Sequence, residues 1–210
     1  MAEIEFWTNP MSRGRIVHWM LEELGEPYDI HWLEWGEHKS PDYLAINPMG
    51  KIPAIRHTTA ANGPKVVTEA AAICLYLADV YPAAGLKPGP EGLADYYRWT
   101  LFAAGPAEHA VTSKSMGWDV PAERKGTVGF GDYDDVVSTL EGMLKGRTFV
   151  CGETFTAADV YFGSSILWGV DFGTLPALPA LQLYADRLRE RPAHRKVLDV
   201  CTVKAAASNH

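Results

Sequence analysis

Asn47-Pro48-Met49-Gly50-Lys51-Ile52-Pro53-Ala54-Ile55 is the stretch on which the reading of this chain turns. Pro48 and Gly50 make a turn that runs into an X-Pro bond and then into a short apolar strand. An Ile-Pro bond at the mouth of a strand is a candidate cis peptide, because proline cuts the trans preference to about 0.5–1 kcal/mol. Such a turn can leave the N–H and C=O of Ile52 facing outward, ready to pair with an extended peptide as an added strand. The alternative is an ordinary turn with a trans proline, and the run by itself leaves both open.

Downstream, Val66-Val67-Thr68 reads as a strand and Ala71 to Tyr81 as a helix. Ile73, Tyr76, Leu77 and Val80 recur at i, i+3, i+4 and i+7, which makes one buried face. Thr68 is the expected N-cap, and Tyr81-Pro82 closes the helix. Glu69 then lies in the first turn, beside backbone N–H groups that have no helical partner. That helix start can hold a carboxylate while Glu69 holds an ammonium, and one amino acid head group carries both charges. A carboxylate that only stabilises its own helix start is the competing reading.

Upstream, Ile4 to Trp7 reads as a strand, Thr8-Asn9-Pro10-Met11 as a loop and Ser12 as the cap of a helix. Ile16, Val17, Met20, Leu21 and Leu24 form the apolar face of that helix, and Gly25 stops it. Ser12 thus places a hydroxyl at the positive end of a helix dipole, with Arg13 and Arg15 close in sequence. Tyr28, Ile30 and Trp32 alternate in a second strand, and Ser40-Pro41-Asp42 opens a short helix running to about Asn47. Ala54 to His57 is a further strand, separated from Val66 to Thr68 by a polar loop at Thr58 to Pro64.

Taken together these pieces resemble the cytosolic glutathione transferases, in particular their bacterial serine-type members, over essentially the whole length. Carrying the resemblance are Asn9 to Arg15 leading into Trp19-Met20-Leu21-Glu22-Glu23-Leu24-Gly25, the run Asn47 to Pro53, and the Glu69 helix start. Gly152-Glu153-Thr154-Phe155-Thr156-Ala157-Ala158-Asp159 is similar to the family's buried helix-start motif. The resemblance implies an α/β thioredoxin-like N-terminal domain over residues 1–82, a linker over 83–92, and an all-α C-terminal domain over 93–210.

The function implied is glutathione binding and conjugation of glutathione to a hydrophobic electrophile, with Ser12 as the catalytic hydroxyl and Asn9 as the alternative thiol contact. Ile52 and Pro53 would meet the cysteinyl unit, Glu69 and Ala70 the γ-glutamyl head, and Lys39 and Lys51 the glycyl carboxylate. Met11, Phe102, His109, Met116 and Trp118 are the implied electrophile contacts. A cytoplasmic homodimer is implied as well. The chain departs from the pattern twice. It has Glu69-Ala70 where the family usually has Glu-Ser, and Phe6 and Trp7 where tyrosine-type members carry their catalytic tyrosine. The alternatives are a non-catalytic glutathione or ligand carrier, and a glutathione-dependent lyase, isomerase, dehalogenase or peroxidase.

Composition agrees with a soluble globular protein. Hydrophobic residues make up 47% of 210, enough for one or two small domains. A net charge of −7 argues against nucleic acid and anionic membrane partners. No apolar run approaches a membrane span. Cys74, Cys151 and Cys201 are isolated, which fits reduced thiols and counts against a disulfide framework. The seven histidines show no metal-ligand spacing backed by a third ligand, so no metal site is expected.

Beyond the Pro/Gly-rich stretch Pro82 to Gly92 the chain reads as helical. Leu93, Tyr96, Tyr97, Leu101 and Ala104 share one face, and Leu181, Tyr184, Ala185 and Leu188 another. Pro179 suits a first helical turn. Thr156 with Asp159 three residues on is an N-terminal capping pair. The segment Val160 to about Val170, apolar nearly all round, should be the buried centre of the helical domain.

Overall fold

The structure, a computed structural model, describes residues 2–61 and 63–207. The chain divides into two units, Met1–Ala84 with Arg191–His210, and Gly85–Glu190.

In the first unit β1 (Ile4–Thr8), β2 (Tyr28–Trp32), β3 (Ala54–Thr59) and β4 (Gly63–Thr68) form one sheet in the order β2-β1-β3-β4. β1 and β2 are parallel, whereas β1/β3 and β3/β4 are antiparallel. α1 (Gly14–Leu24) supplies the parallel crossover, as parallel neighbours require. α1 and α3 (Ala70–Val80) bring Ile16, Val17, Met20, Ile73 and Leu77 into one core with Ile4, Phe6 and Ile55. On the other face α2 (Pro41–Leu44) covers a smaller cluster of Trp7, Tyr43 and Ala54. The thioredoxin-like expectation holds. Both strands of the β3/β4 hairpin run further than the sequence suggested, so most of the polar stretch Thr58 to Pro64 is paired strand, and Asn62 lies outside the described residues.

The second unit is helical: α4 (Leu93–Phe102), a π-turn at Ala103–Ala107 containing Pro106, α5 (Glu108–Met116), α6 (Tyr133–Leu144), α7 (Ala157–Asp171) and α8 (Pro179–Arg189). Proline has no N–H to give to the helix ladder, and a π-turn absorbs that gap. α7 is the buried centre, entered through a complete capping box between Thr156 and Asp159. On α4 the buried stripe is Tyr96, Trp99 and Thr100, continued by Ala103 in the π-turn, while Tyr97 and Leu101 are exposed. The helix is apolar on two sides; of the face read from periodicity Tyr96 is buried, whereas Tyr97 and Leu101 face outward.

α9 (Pro192–Ala207) belongs to the first unit, so the division differs from the 93–210 boundary drawn from sequence. It lies along α1. The Arg191 guanidinium grips both Glu23 carboxylate oxygens at 2.6 and 2.7 Å, and Lys196 pairs with Glu22 at 2.6 Å. No helix among the described residues is long and apolar enough to cross a membrane.

Candidate functional site

The sheet register gathers the candidate segments. Trp7 of β1 pairs with Ala54 of β3, and Ala54 pairs with Thr68 of β4. One row across three strands therefore ends in Asn9 to Ser12 after β1, starts from Ile52-Pro53 before β3, and leads into Glu69-Ala70 after β4. Segments from three separate parts of the sequence meet at one end of one sheet.

Ser12 sits half-buried, two residues before α1 rather than at its cap position, which Arg13 occupies. Its hydroxyl still serves the helix start, because Oγ accepts the Gly14 N–H at 3.0 Å. The hydroxyl proton goes to the Asn9 carbonyl at 2.8 Å, and the Ser12 N–H reaches the same oxygen at 3.1 Å. Asn9 is buried, and its side chain is committed to backbone: Oδ1 accepts from the Met11 N–H at 2.9 Å, and Nδ2 donates to the Leu33 carbonyl at 2.8 Å. It is an Asx turn pinning the loop to the chain beyond β2. Arg15 braces the same loop, its Nε donating to the Pro10 carbonyl at 2.5 Å and its terminal nitrogen reaching the Met11 sulfur at 3.3 Å. Met11 itself is exposed.

Gly14 was not singled out from sequence, yet the loop depends on it. A Cβ there would stand 1.9 Å from Thr8 Oγ1 and 2.9 Å from Ser12 Oγ. Only glycine lets the two hydroxyls close in on the helix start.

The Ile52–Pro53 bond is cis. The turn before it is tied down by side chains that sequence reading passed over. Tyr43 donates its O–H to the Lys51 carbonyl at 2.6 Å, Asn47 Nδ2 donates to the same oxygen at 2.8 Å, and the Gly50 N–H reaches Asn47 O at 2.7 Å. Burial pushes the Tyr43 hydroxyl up to about 12, so it stays a donor. Gly50 has φ +58, and a Cβ there would lie 2.7 Å from the His38 carbonyl. Lys39 is exposed and donates to the Met49 carbonyl at 2.8 Å, which places both candidate lysines at this turn. Among the described residues neither the N–H nor the C=O of Ile52 has a hydrogen-bond partner.

Glu69 takes the N-cap position of α3, one residue later than the Thr68 expected, because Thr68 is held in β4. Its backbone has φ +64 and ψ 114, the one positive φ among described non-glycine residues. A glutamate in that region carries strain of the order of 1–3 kcal/mol, which persists where the surroundings impose it and clusters at functional sites. The side chain is exposed and makes no cap bond. The Ala70 N–H, at the first helical position, has no intrahelical partner.

The remaining candidates lie in the second unit. Phe102 is half-buried against Trp99 with ring centroids 5.5 Å apart, and the exposed His109 stacks on Phe130 at 6.5 Å. Met116 and Trp118 are 62% and 64% exposed. No hydrogen bond or ring contact joins these four among the described residues. Nor do the described residues include a group of three or more His, Cys, Asp or Glu placed to hold a metal ion.

Comparison with known proteins matches both units to one family. Residues 11–80 match the glutathione S-transferase N-terminal domain, and residues 128–192 match the glutathione S-transferase C-terminal domain. Glutathione S-transferase A of Pleuronectes platessa is 30% identical over 170 residues, covering 76% of this chain and 73% of that protein. A glutathione S-transferase of Xanthomonas campestris pv. campestris is 28% identical over 192 residues, covering 84% and 90%. Among solved structures, a glutathione transferase of Phanerochaete chrysosporium in complex with oxidized glutathione superposes with a TM-score of 0.77 at 29% identity, covering 97% of this chain and 98% of that one. With both domains matched in order, and relatives aligned over most of their length, this chain belongs to the glutathione S-transferase family.

Proposed function

We propose that the protein is a glutathione transferase that binds glutathione at this end of the sheet, ionises its thiol and transfers the sulfur to an electrophilic carbon of a hydrophobic small molecule. The Trp7–Ala54–Thr68 row supports the reading, because it brings the loop after β1, the turn before β3 and the start of α3 to one end of the sheet. The unpartnered Ile52 backbone takes the cysteinyl unit as an added strand. Glu69 takes the γ-glutamyl ammonium, and the Ala70 N–H takes the γ-glutamyl carboxylate at the start of α3. Lys51 and Lys39 meet the glycyl carboxylate. The complex of the Phanerochaete chrysosporium relative with oxidized glutathione supports the choice of ligand.

The chemistry needs little more than a donor. A thiol with pKa about 8.5 is about 3% ionised at pH 7, and lowering that pKa by two units requires about 2.7 kcal/mol. A hydrogen bond to a charged group contributes about 1.5–3 kcal/mol and a helix N-terminus about 0.3–1 kcal/mol. Ser12 beside α1 covers the shift once its O–H turns from the Asn9 carbonyl to the sulfur. The thiol proton leaves to solvent. A sulfur lone pair then forms the C–S bond, and the leaving group departs with its bonding electrons.

Titrating glutathione into the protein near pH 7 and following the ultraviolet absorbance of the thiolate tests this directly. A saturable thiolate signal is the expected result, and calorimetric binding without it would make the protein a carrier. Ser12→Ala should cut kcat/KM by about 10–100-fold, the value of one charged hydrogen bond; unchanged turnover would remove Ser12 from its post. For Glu69→Ala the expected loss is about 10–100-fold in glutathione affinity with kcat nearly constant. An effect confined to kcat would argue against the ammonium contact.

A further inference from the structure

We infer that Thr8 is a positioning residue for the Ser12 hydroxyl: its own hydroxyl takes the Asn9 carbonyl when the Ser12 proton turns to the glutathione sulfur. This rests on the Ser12 reading above and adds to it the group that makes the turn reversible. Three hydrogens compete for one carbonyl oxygen. Asn9 O receives the Ser12 O–H at 2.8 Å, the Ser12 N–H at 3.1 Å and the Thr8 O–H at 3.5 Å. A carbonyl has two lone pairs, and Ser12 holds both in the resting loop. Thr8 is left at the outer limit of a hydrogen bond, although it is only 1% exposed.

The local geometry keeps Thr8 waiting there. Its carbonyl is held by the Leu33 N–H at 2.8 Å and its strand by β2, so the backbone is fixed and only the side chain adjusts. The absent side chain of Gly14 lets Thr8 Oγ1 take the place a Cβ would fill, 1.9 Å from that point, with Ser12 Oγ 2.9 Å from it. Withdrawing the Ser12 proton leaves a lone pair of Asn9 O open inside the loop, beside a buried hydroxyl whose own bond is poor. The exchange improves the Thr8 bond while it frees Ser12. Without Thr8, the released carbonyl opposes thiolate formation.

The test is a pH titration of the thiolate absorbance of glutathione bound to wild type, Thr8→Val, Thr8→Ser and Ser12→Ala, with KM for glutathione measured beside it. Valine keeps the shape and removes the hydroxyl. In Thr8→Val the apparent thiol pKa should rise by about half to one unit, a three- to ten-fold loss of thiolate below the midpoint. KM for glutathione should stay within about twofold, and Thr8→Ser should restore the wild-type titration. An unshifted titration in Thr8→Val, or a shift that serine leaves unrepaired, overturns the inference and leaves Thr8 as packing. Should Thr8→Val not fold, Thr8→Ala against Thr8→Ser gives the same comparison. If Ser12→Ala leaves the thiolate signal intact, the Ser12 reading fails and this inference falls with it. An effect of Ser12→Ala without one of Thr8→Val sinks the Thr8 step alone.

Discussion

Asp159→Ala is expected to lower the unfolding free energy of the chain by about 3–5 kcal/mol, read as a shift of the urea midpoint. The carboxylate is fully buried and accepts four hydrogen bonds. Oδ1 takes the Val150 N–H at 2.7 Å and the Tyr184 O–H at 2.9 Å, while Oδ2 takes the Thr156 N–H at 2.9 Å and its O–H at 3.0 Å. Burial pushes this carboxyl upward, and these donors oppose it in favour of the charged form. Alanine leaves the Val150 and Thr156 N–H groups and the Tyr184 hydroxyl buried without their acceptor, at about 1–3 kcal/mol each. Losing the cap itself costs about 0.5–2 kcal/mol. Relaxation recovers part of that sum.

Asp159→Asn keeps one carbonyl acceptor but turns an NH2 group toward donors, so it should fall between wild type and alanine. A loss below about 1 kcal/mol in Asp159→Ala would mean that the box is ornamental and that α7 is held by its apolar contacts alone. The motif was legible because every partner but Tyr184 lies within nine residues. Thr156 and Asp159 announce a helix start by spacing, while the Val150 N–H shows only in the structure.

Legibility elsewhere follows the same division between local and distant causes. The turn at Asn47 to Pro53 and the apolar face of α1 rest on turn chemistry and helical period; the face stands as read, and of the two proline isomers the run left open the structure holds the cis one. Three features did not show. The Ser12 proton is spent on a carbonyl, and no residue pattern reports where a backbone oxygen points. The α3 start moved by one because strand pairing retained Thr68, a tertiary cause that overrides the preference of threonine for caps. α9 returned to the first unit although its own periodicity names no partner. What commits it to α1 is a set of pairs 168 to 183 residues apart in sequence: Arg191 with Glu23, and Cys201 with His18.

That last pair sets the second large effect, a loss of stability as pH falls from about 6.5 toward 4. His18 is 2% exposed in the middle of α1, edged by the rings of Phe6, Tyr28 and Trp32. Tyr28 gives its only proton to Glu22 at 2.7 Å, so its oxygen must accept from His18 Nε2 at 2.9 Å. The lone pair of Nδ1 is then left facing the Cys201 thiol, 3.8 Å away on α9. A proton added at Nδ1 meets a buried sulfur in place of water. Burial, with Lys196 adding to it and Glu22 opposing, lowers His18 from 6.5 to about 4.

The unfolded chain therefore binds this proton first. Neutral His18 contributes its full stabilisation above about pH 6.5, and that contribution drains away as pH drops through the interval to about 4. Between pH 7.5 and 5 the loss amounts to about 2 kcal/mol, approaching about 3 kcal/mol at the lower limit. Glu22 does not blur the comparison between pH 7.5 and 5: burial pushes it up, but Lys196 and Tyr28 hold it below the usual carboxylate range, so its own loss begins only as pH falls through 4.5. Urea unfolding of wild type and His18→Gln at pH 7.5 and pH 5 separates the cause. Glutamine keeps a donor for Tyr28 and cannot take up the proton, so the variant should start less stable at pH 7.5 and lose about 2 kcal/mol less than wild type on acidification. Equal losses in the two proteins would assign the acid sensitivity to some other group and leave the α1–α9 contact indifferent to pH.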